Sequence, residues 1–205
     1  MKAAFLVVSM LSPVLLSSQE GEARVDAPSE AQGGTRLATL HALDPLSRTL
    51  CLKDGQPGGG FQNNEVRNRC SDIDFDSYNS GSFTVGIEGG RQGNIIDLGT
   101  ADDLMKKYGY EETVGKGQGF ASLRVQGGKV VILKDRRSGS VQELEGGRTF
   151  LQESRKGAAA AVRLGHIYLV RLTDRHDKEF SFMVKLIVLD YRQHESVTVR
   201  WEPLG

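Results

Sequence analysis

A mainly β, antiparallel sandwich is the fold this sequence predicts, with a closed barrel as the second choice. Three observations predict it. Val162 to Trp201 (VRLGHIYLVRLTDRHDKEFSFMVKLIVLDYRQHESVTVRW) holds three apolar, β-branched and aromatic runs separated by short charged breaks, the pattern of an antiparallel meander. Phe120–Gln126 and Lys129–Lys134 flank Gly127-Gly128, a hairpin signal, because two adjacent glycines supply the positive φ of a tight turn. Only Ala101–Tyr108 carries a full set of helix signals: Thr100 to cap, Asp102 and Asp103 in the first turn, Lys106 and Lys107 in the last, and a stop at Gly109.

Taken from the start, Met1–Lys2 followed by the apolar run Ala3–Leu16 and small residues describes a secretory signal peptide over 1–23, too short to span a bilayer. Cleavage is expected to leave a mature chain beginning near Arg24 or Pro28, with no transmembrane segment and a secreted, periplasmic or extracellular location. Residues 24–36 are polar and contain Pro and Gly, so they read as a flexible linker. The single mainly-β domain then occupies 37–205. Leu37, Leu40 and Leu43 are spaced for one short amphipathic helix, whereas Arg48–Leu52 suits a strand, with Asp44-Pro45 between them.

Export makes the two cysteines interpretable. Cys51 and Cys70 are the sole pair, and in an oxidising compartment they are expected to form a disulfide. Closing a loop of about twenty residues stabilises by roughly 3 kcal/mol on the chain-entropy model. Lys53–Asn68 reads as a long exposed loop. Its run Gly58–Gly60 lacks the Lys-Ser/Thr and the strand-to-helix context of a phosphate-binding loop.

Ser71–Val85 contains the most suggestive polar cluster, Asp72, Asp74 and Asp76, alternating with Ile73 and Phe75. Three hard oxygen donors at this spacing make it a calcium candidate, although Ser77 and Phe83 stand where an EF-hand loop needs Gly and Glu. The alternative is a solvated strand edge whose charges are balanced by water or by cations such as Arg67 and Arg69. Ser82–Gly99 reads as a hairpin about a Gly-rich turn. Gly115, Gly117 and Gly119 do not make G-x-G-x-x-G, so no dinucleotide site is expected. Val141–Leu144 is a weaker strand, Glu145–Arg148 a turn, Thr149–Leu151 the start of a further strand, and Gln152–Ala161 a loop or a single helical turn.

Charge and motif narrow the function. Lys and Arg number 26 against 26 Asp and Glu, which leaves no net field to draw in nucleic acid. His41, His166, His176 and His194 sit in no metalloprotease or serine-hydrolase motif, and His166, at a strand start, reads as structural. Arg171 and Lys185 could share one face of the meander as a modest basic strip, against the simpler expectation of outward-facing charges on a one-sided sheet. Trp201 reads as a core plug. The expectation is therefore an exported, non-enzymatic binding, adhesion or envelope-associated domain that meets a protein or glycan through Gly-rich loops. The rival is a secreted hydrolase that pairs Asp72, Asp74 or Asp76 with Glu88, with calcium as its cofactor.

Overall fold

The computed structural model describes residues 36–58, 70–86, 91–109, 122–135, 137–152 and 157–204, all within the unit formed by residues 33–205. The expected signal peptide, most of the linker, Arg67, Arg69, Glu88 and the glycines at 115, 117 and 119 lie outside the described residues. Among those described, twelve strands and two helices follow one another. They are β1 (Arg36–His41), β2 (Thr49–Leu50), β3 (Ile73–Phe75), β4 (Ser82–Val85), β5 (Arg91–Thr100), α1 (Ala101–Tyr108), β6 (Leu123–Gln126) and β7 (Lys129–Asp135). After these come β8 (Ser140–Glu143), α2 (Gly147–Gln152), β9 (Ala159–Ala161), β10 (His166–Asp174), β11 (Ser181–Arg192) and β12 (Ser196–Pro203). Strands of two or three residues, β2, β3 and β9, leave little periodic trace in the sequence.

The meander forms as its alternation requires. A five-stranded antiparallel sheet runs β1-β12-β11-β10-β5, and a four-stranded sheet, β2-β3-β4-β9, packs on one of its faces. Val184, Leu186 and Val188 of β11, with Tyr168, Val170 and Leu172 of β10 and Val197, Val199 and Trp201 of β12, fill the space between the two sheets with Phe75, Phe83, Ile73 and Val85. Neither sheet closes on itself, so the sandwich holds and the barrel does not.

The opposite face of the large sheet is not solvated, contrary to the one-sided expectation. Ile167, Leu169 and Ile187 bury against α1, α2 and a third sheet, β6-β7-β8, in a second core with Leu104, Tyr108, Ile132 and Phe150. Strands β10 and β11 are thus apolar on both faces, and their continuous runs follow from that. Arg171 and Lys185 do share this second face, since Leu169 opposes Lys185 and Arg171 opposes Met183. Lys185, however, is buried and pairs with Glu202 of β12 at 2.8 Å.

Four expectations need correction. Leu37–Leu43 is no helix: β1 is a strand paired along its length with β12, from Arg36 opposite Trp201 to His41 opposite Ser196. Tertiary pairing overrides the three-residue leucine spacing there. Ser82–Gly99 is no hairpin, because β4 lies in the small sheet and β5 crosses to the edge of the large one. Where the chain crosses, a Cβ on Gly86 would come within 2.0 Å of the Gly93 backbone nitrogen, so both positions must be glycine. Thr149–Leu151 belongs to α2 and not to a strand, while β9, placed in the loop-or-helix stretch by its small side chains, pairs with β4 through Ala159–Ala161.

Other expectations stand. Helix α1 spans Ala101–Tyr108, with a reciprocal capping box between Thr100 and Asp103 and a left-handed Gly109 closing it. The β6–β7 hairpin turns on Gly127 and Gly128, both at positive φ. Cys51 and Cys70 are joined in a disulfide.

Candidate functional site

One end of the sandwich gathers the four non-glycine residues with left-handed backbone found among the described residues, together with the buried Asp74 and Asp76. Four connections meet there: the β1–β2 loop (42–48), the β3–β4 loop (76–81), the β9–β10 loop (162–165) and the β11–β12 turn (193–195). They are tied edge to edge. Ala42 N–H donates to Glu195 O at 2.8 Å, Phe75 N–H to Arg48 O at 2.9 Å, Val162 N–H to Gly81 O at 2.9 Å and Gly165 N–H to Val188 O at 2.9 Å.

The three aspartates of the DIDFD stretch, of which Asp76 opens the β3–β4 loop, are buried, which corrects the solvated-edge alternative: Asp72 is 5 % exposed, Asp74 0 % and Asp76 6 %. They do not converge. Asp72 Oδ2 accepts from Leu52 N–H at 2.9 Å. Asp74 receives the Arg48 guanidinium through Nη2 at 3.0 Å to both oxygens and through Nε at 3.3 Å, while the same Nη2 reaches Ser77 Oγ at 2.8 Å. Burial holds the Asp74 carboxyl above its usual range, and the Arg48 and Ser77 hydrogen bonds pull it partly back. Asp76 accepts from Gly81 N–H at 2.5 Å, and His194 Nδ1 lies 3.0 and 3.1 Å from its two oxygens. The neutralising cation is Arg48, twenty-six residues away from Asp74 in sequence; no local pattern announces it.

With their oxygens so engaged, the carboxylates have little left for a cation. Among the described residues no group of three metal-binding side chains includes any of Asp72, Asp74 or Asp76. A thermal melt in millimolar calcium is expected to match one in chelator; a rise in Tm with calcium would show that the ion binds and displaces these contacts.

The backbone here is costly. Asp76 (φ 61°), Tyr78 (φ 56°), Asn79 (φ 59°) and His194 (φ 59°) are the four non-glycine residues with left-handed backbone among the described residues. Asp, Asn and His tolerate that region, but for the bulky Tyr78 it is a true outlier, and each such position costs on the order of 1–3 kcal/mol. The strain displays Tyr78 to solvent in full, at 102 % relative exposure. Leu43 (88 %) and Leu46 (60 %) stand out from the neighbouring loop, and Leu164 is likewise exposed. The sequence reading missed Tyr78, Leu43 and Leu46 as surface groups, having assigned Leu43 to an amphipathic helix.

A second His–Asp pair sits at the β5 edge: His166 Nδ1 lies 2.8 and 3.0 Å from the Asp97 oxygens, as expected of a structural histidine at a strand start. No hydroxyl of a described residue hydrogen-bonds the far nitrogen of either histidine. His194 Nε2 meets the Gln193 side chain at 3.1 Å. A charge-relay arrangement would need a nucleophile at that atom. Beneath this corner Tyr168 donates to Ala161 O at 2.8 Å and accepts from Arg163 N–H at 2.9 Å. Burial, with the Asp97 charge second, pushes the Tyr168 phenol far above its ordinary value near 10. A raised folded pKa contributes stability below the unfolded value that is lost as pH rises past it. Stability is therefore expected to fall above about pH 10, and Tyr168→Phe, about 1–2 kcal/mol less stable at neutral pH, is expected to flatten that fall. An equally steep alkaline decline in the variant would assign it to another group.

An open groove of about 570 Å³ lies elsewhere, between the end of α1 and the β8–α2 segment. Its charges pair among themselves, Lys107 with Glu145 at 2.5 Å and Arg148 with Glu143 at 2.6 Å, which holds both carboxyls below their usual range. Pairing leaves no surplus charge to recruit a ligand. Among the described residues no helix is long and apolar enough to cross a membrane. Comparison of the chain with protein-family models, curated proteins and solved structures finds no match.

Proposed function

We propose that this is an exported, non-enzymatic binding domain of the adhesion or envelope-associated kind, and that its contact surface is the loop end bearing Leu43, Leu46 and Tyr78. One observation carries the reading: a large aromatic side chain is held fully in solvent by an unfavourable backbone, on loops braced from beneath by the Arg48–Asp74 and His194–Asp76 pairs. Folding alone gains nothing from that display, whereas a partner that buries the ring does. Braced loops on a rigid sheet also bind without a large ordering cost. The disulfide supports export, because such bonds persist in oxidising compartments.

The test uses the full chain expressed with its own N-terminus. A photo-crosslinking amino acid at position 78 is expected to give a discrete adduct, and the same group at Lys178, an exposed position in the β10–β11 turn, is expected to give none. Equal labelling from both positions would remove the loop end as the contact surface. Recovery of the product with its N-terminus near Arg24 or Pro28 would support export, and an intact Met1 would exclude signal cleavage.

A further inference from the structure

Beyond the loop end, the disulfide has a third chemical neighbour. Cys51 Sγ, Cys70 Sγ and an Asp54 carboxylate oxygen all lie within 4.8 Å of one another, the one such grouping of three among the described residues. Asp54 is exposed and Cys70 half-buried, so the group opens to solvent on one side, while Cys51 is buried. The turn that carries it is tightly bonded. Gly55 N–H donates to Cys51 O at 2.8 Å, Cys51 N–H to Gln56 O at 2.9 Å, and Gln56 N–H to Asp54 Oδ1 at 2.9 Å. The last bond orients the carboxylate and leaves its second oxygen available, as the outer hydrogen bonds of a metal site do. Contacts outside the bridge anchor the same segment: Leu52 O accepts from Trp201 Nε1–H and from Arg36 Nη1, each at 2.9 Å, and Leu52 N–H donates to the buried Asp72. The two cysteines are thus held close, Cα atoms 4.7 Å apart, by more than their own bond.

We propose that Cys51, Asp54 and Cys70 form a latent zinc site that opens when the disulfide is reduced. A dithiol donates two electrons and two protons, the S–S bond breaks, two thiols form, and the dithiol becomes its own disulfide. Binding of Zn²⁺ then releases both thiol protons to solvent. Two thiolates and one carboxylate supply three ligands of a tetrahedral set, with water in the fourth place. Without the ion, the Asp54 charge repels the thiolates beside it; with the ion, all three negative groups are stabilised together. Bridge and metal compete for the same two sulfurs, so the oxidised chain does not bind.

The full chain, reduced with a phosphine that does not itself chelate and kept free of oxygen, is titrated with Co²⁺ as a spectroscopic stand-in for zinc. One equivalent is expected to bind with a sulfur-to-cobalt charge-transfer band that Zn²⁺ abolishes, and the oxidised chain is expected to show none. Asp54→Asn should weaken binding at least about tenfold, the effect of losing even an outer-shell partner, while Asp44→Asn, on a different loop, should leave the titration unchanged. Absence of the band in the reduced chain, unchanged affinity in Asp54→Asn, or a bridge that the phosphine cannot open under native conditions would each overturn the proposal. Should reduction unfold the chain, Trp201 fluorescence decides: recovery on adding Zn²⁺ supports the site, and no recovery overturns it.

Discussion

Replacing Arg48 with alanine is expected to destabilise the domain by about 3–5 kcal/mol, the usual consequence of stripping a buried charge of its partner. Asp74 is fully buried, and Arg48 engages both of its oxygens. Removal of the guanidinium leaves the buried carboxylate without its cation and takes one hydrogen-bond partner from Ser77 Oγ, at the base of the strained loop. The direction of the pH dependence follows. Burial already raises the Asp74 carboxyl above its ordinary range, and without Arg48 it rises further. A group with a raised folded pKa binds protons more readily in the native state, so its destabilising effect grows as pH rises through that pKa and shrinks on acidification. Arg48→Ala should therefore lose most at neutral pH and recover part of the deficit under mildly acidic conditions, as read from denaturant midpoints at several pH values. The double variant Arg48→Met/Asp74→Leu should be far less damaging than either single change, because it removes the uncompensated charge altogether. A loss below about 1 kcal/mol for Arg48→Ala would place this pair with surface ion pairs and undercut the bracing of the loop end.

Trp201→Ala should cost a similar amount, about 3–5 kcal/mol for a buried aromatic truncated to a methyl group. The ring is fully buried between the two sheets, and its indole N–H donates to Leu52 O at 2.9 Å. It therefore joins the last strand to the segment beside the disulfide, across 149 residues of sequence. Gly55 lies over the ring, where a Cβ would come within 3.3 Å of two ring carbons, and its φ of 81° suits glycine alone. Trp201→Phe separates the contributions: it keeps much of the apolar contact and removes the donor, leaving Leu52 O to Arg36. A loss of about 1–3 kcal/mol is expected. Thermal melts of both variants, with the disulfide verified by thiol labelling, provide the check. If Trp201→Ala melts with the parent, the two sheets do not depend on this contact.

Strand alternation in Val162–Trp201, the glycine pair at 127–128 and the capping signals around α1 were all readable from residue order, because each rests on neighbours within a few positions. Helix α1 emerged at its predicted bounds for that reason: its cap, its acidic first turn and its glycine stop are local chemistry. The cysteine pairing was readable for another reason, since two cysteines permit only one intramolecular bridge.

Long-range pairing decided the rest. Nothing near Leu37 says that Arg36–His41 will lie along β12, and its leucine spacing pointed to a helix until that partner strand was present. Nothing near Gly86 says that the chain leaves one sheet for the other there. The DIDFD carboxylates illustrate the limit best. Composition identifies three charges on a short apolar stretch, but whether they face water, a cation or the interior depends on Arg48, His194 and Leu52, which reach them from other segments of the chain. Sequence determined the strands of the C-terminal meander, the β6–β7 hairpin, helix α1 and the bridge, since those follow from local periodicity, turn and cap chemistry and from counting. Tertiary structure determined burial and charge compensation, since the free energy of a buried carboxylate depends on groups that share no stretch of chain with it.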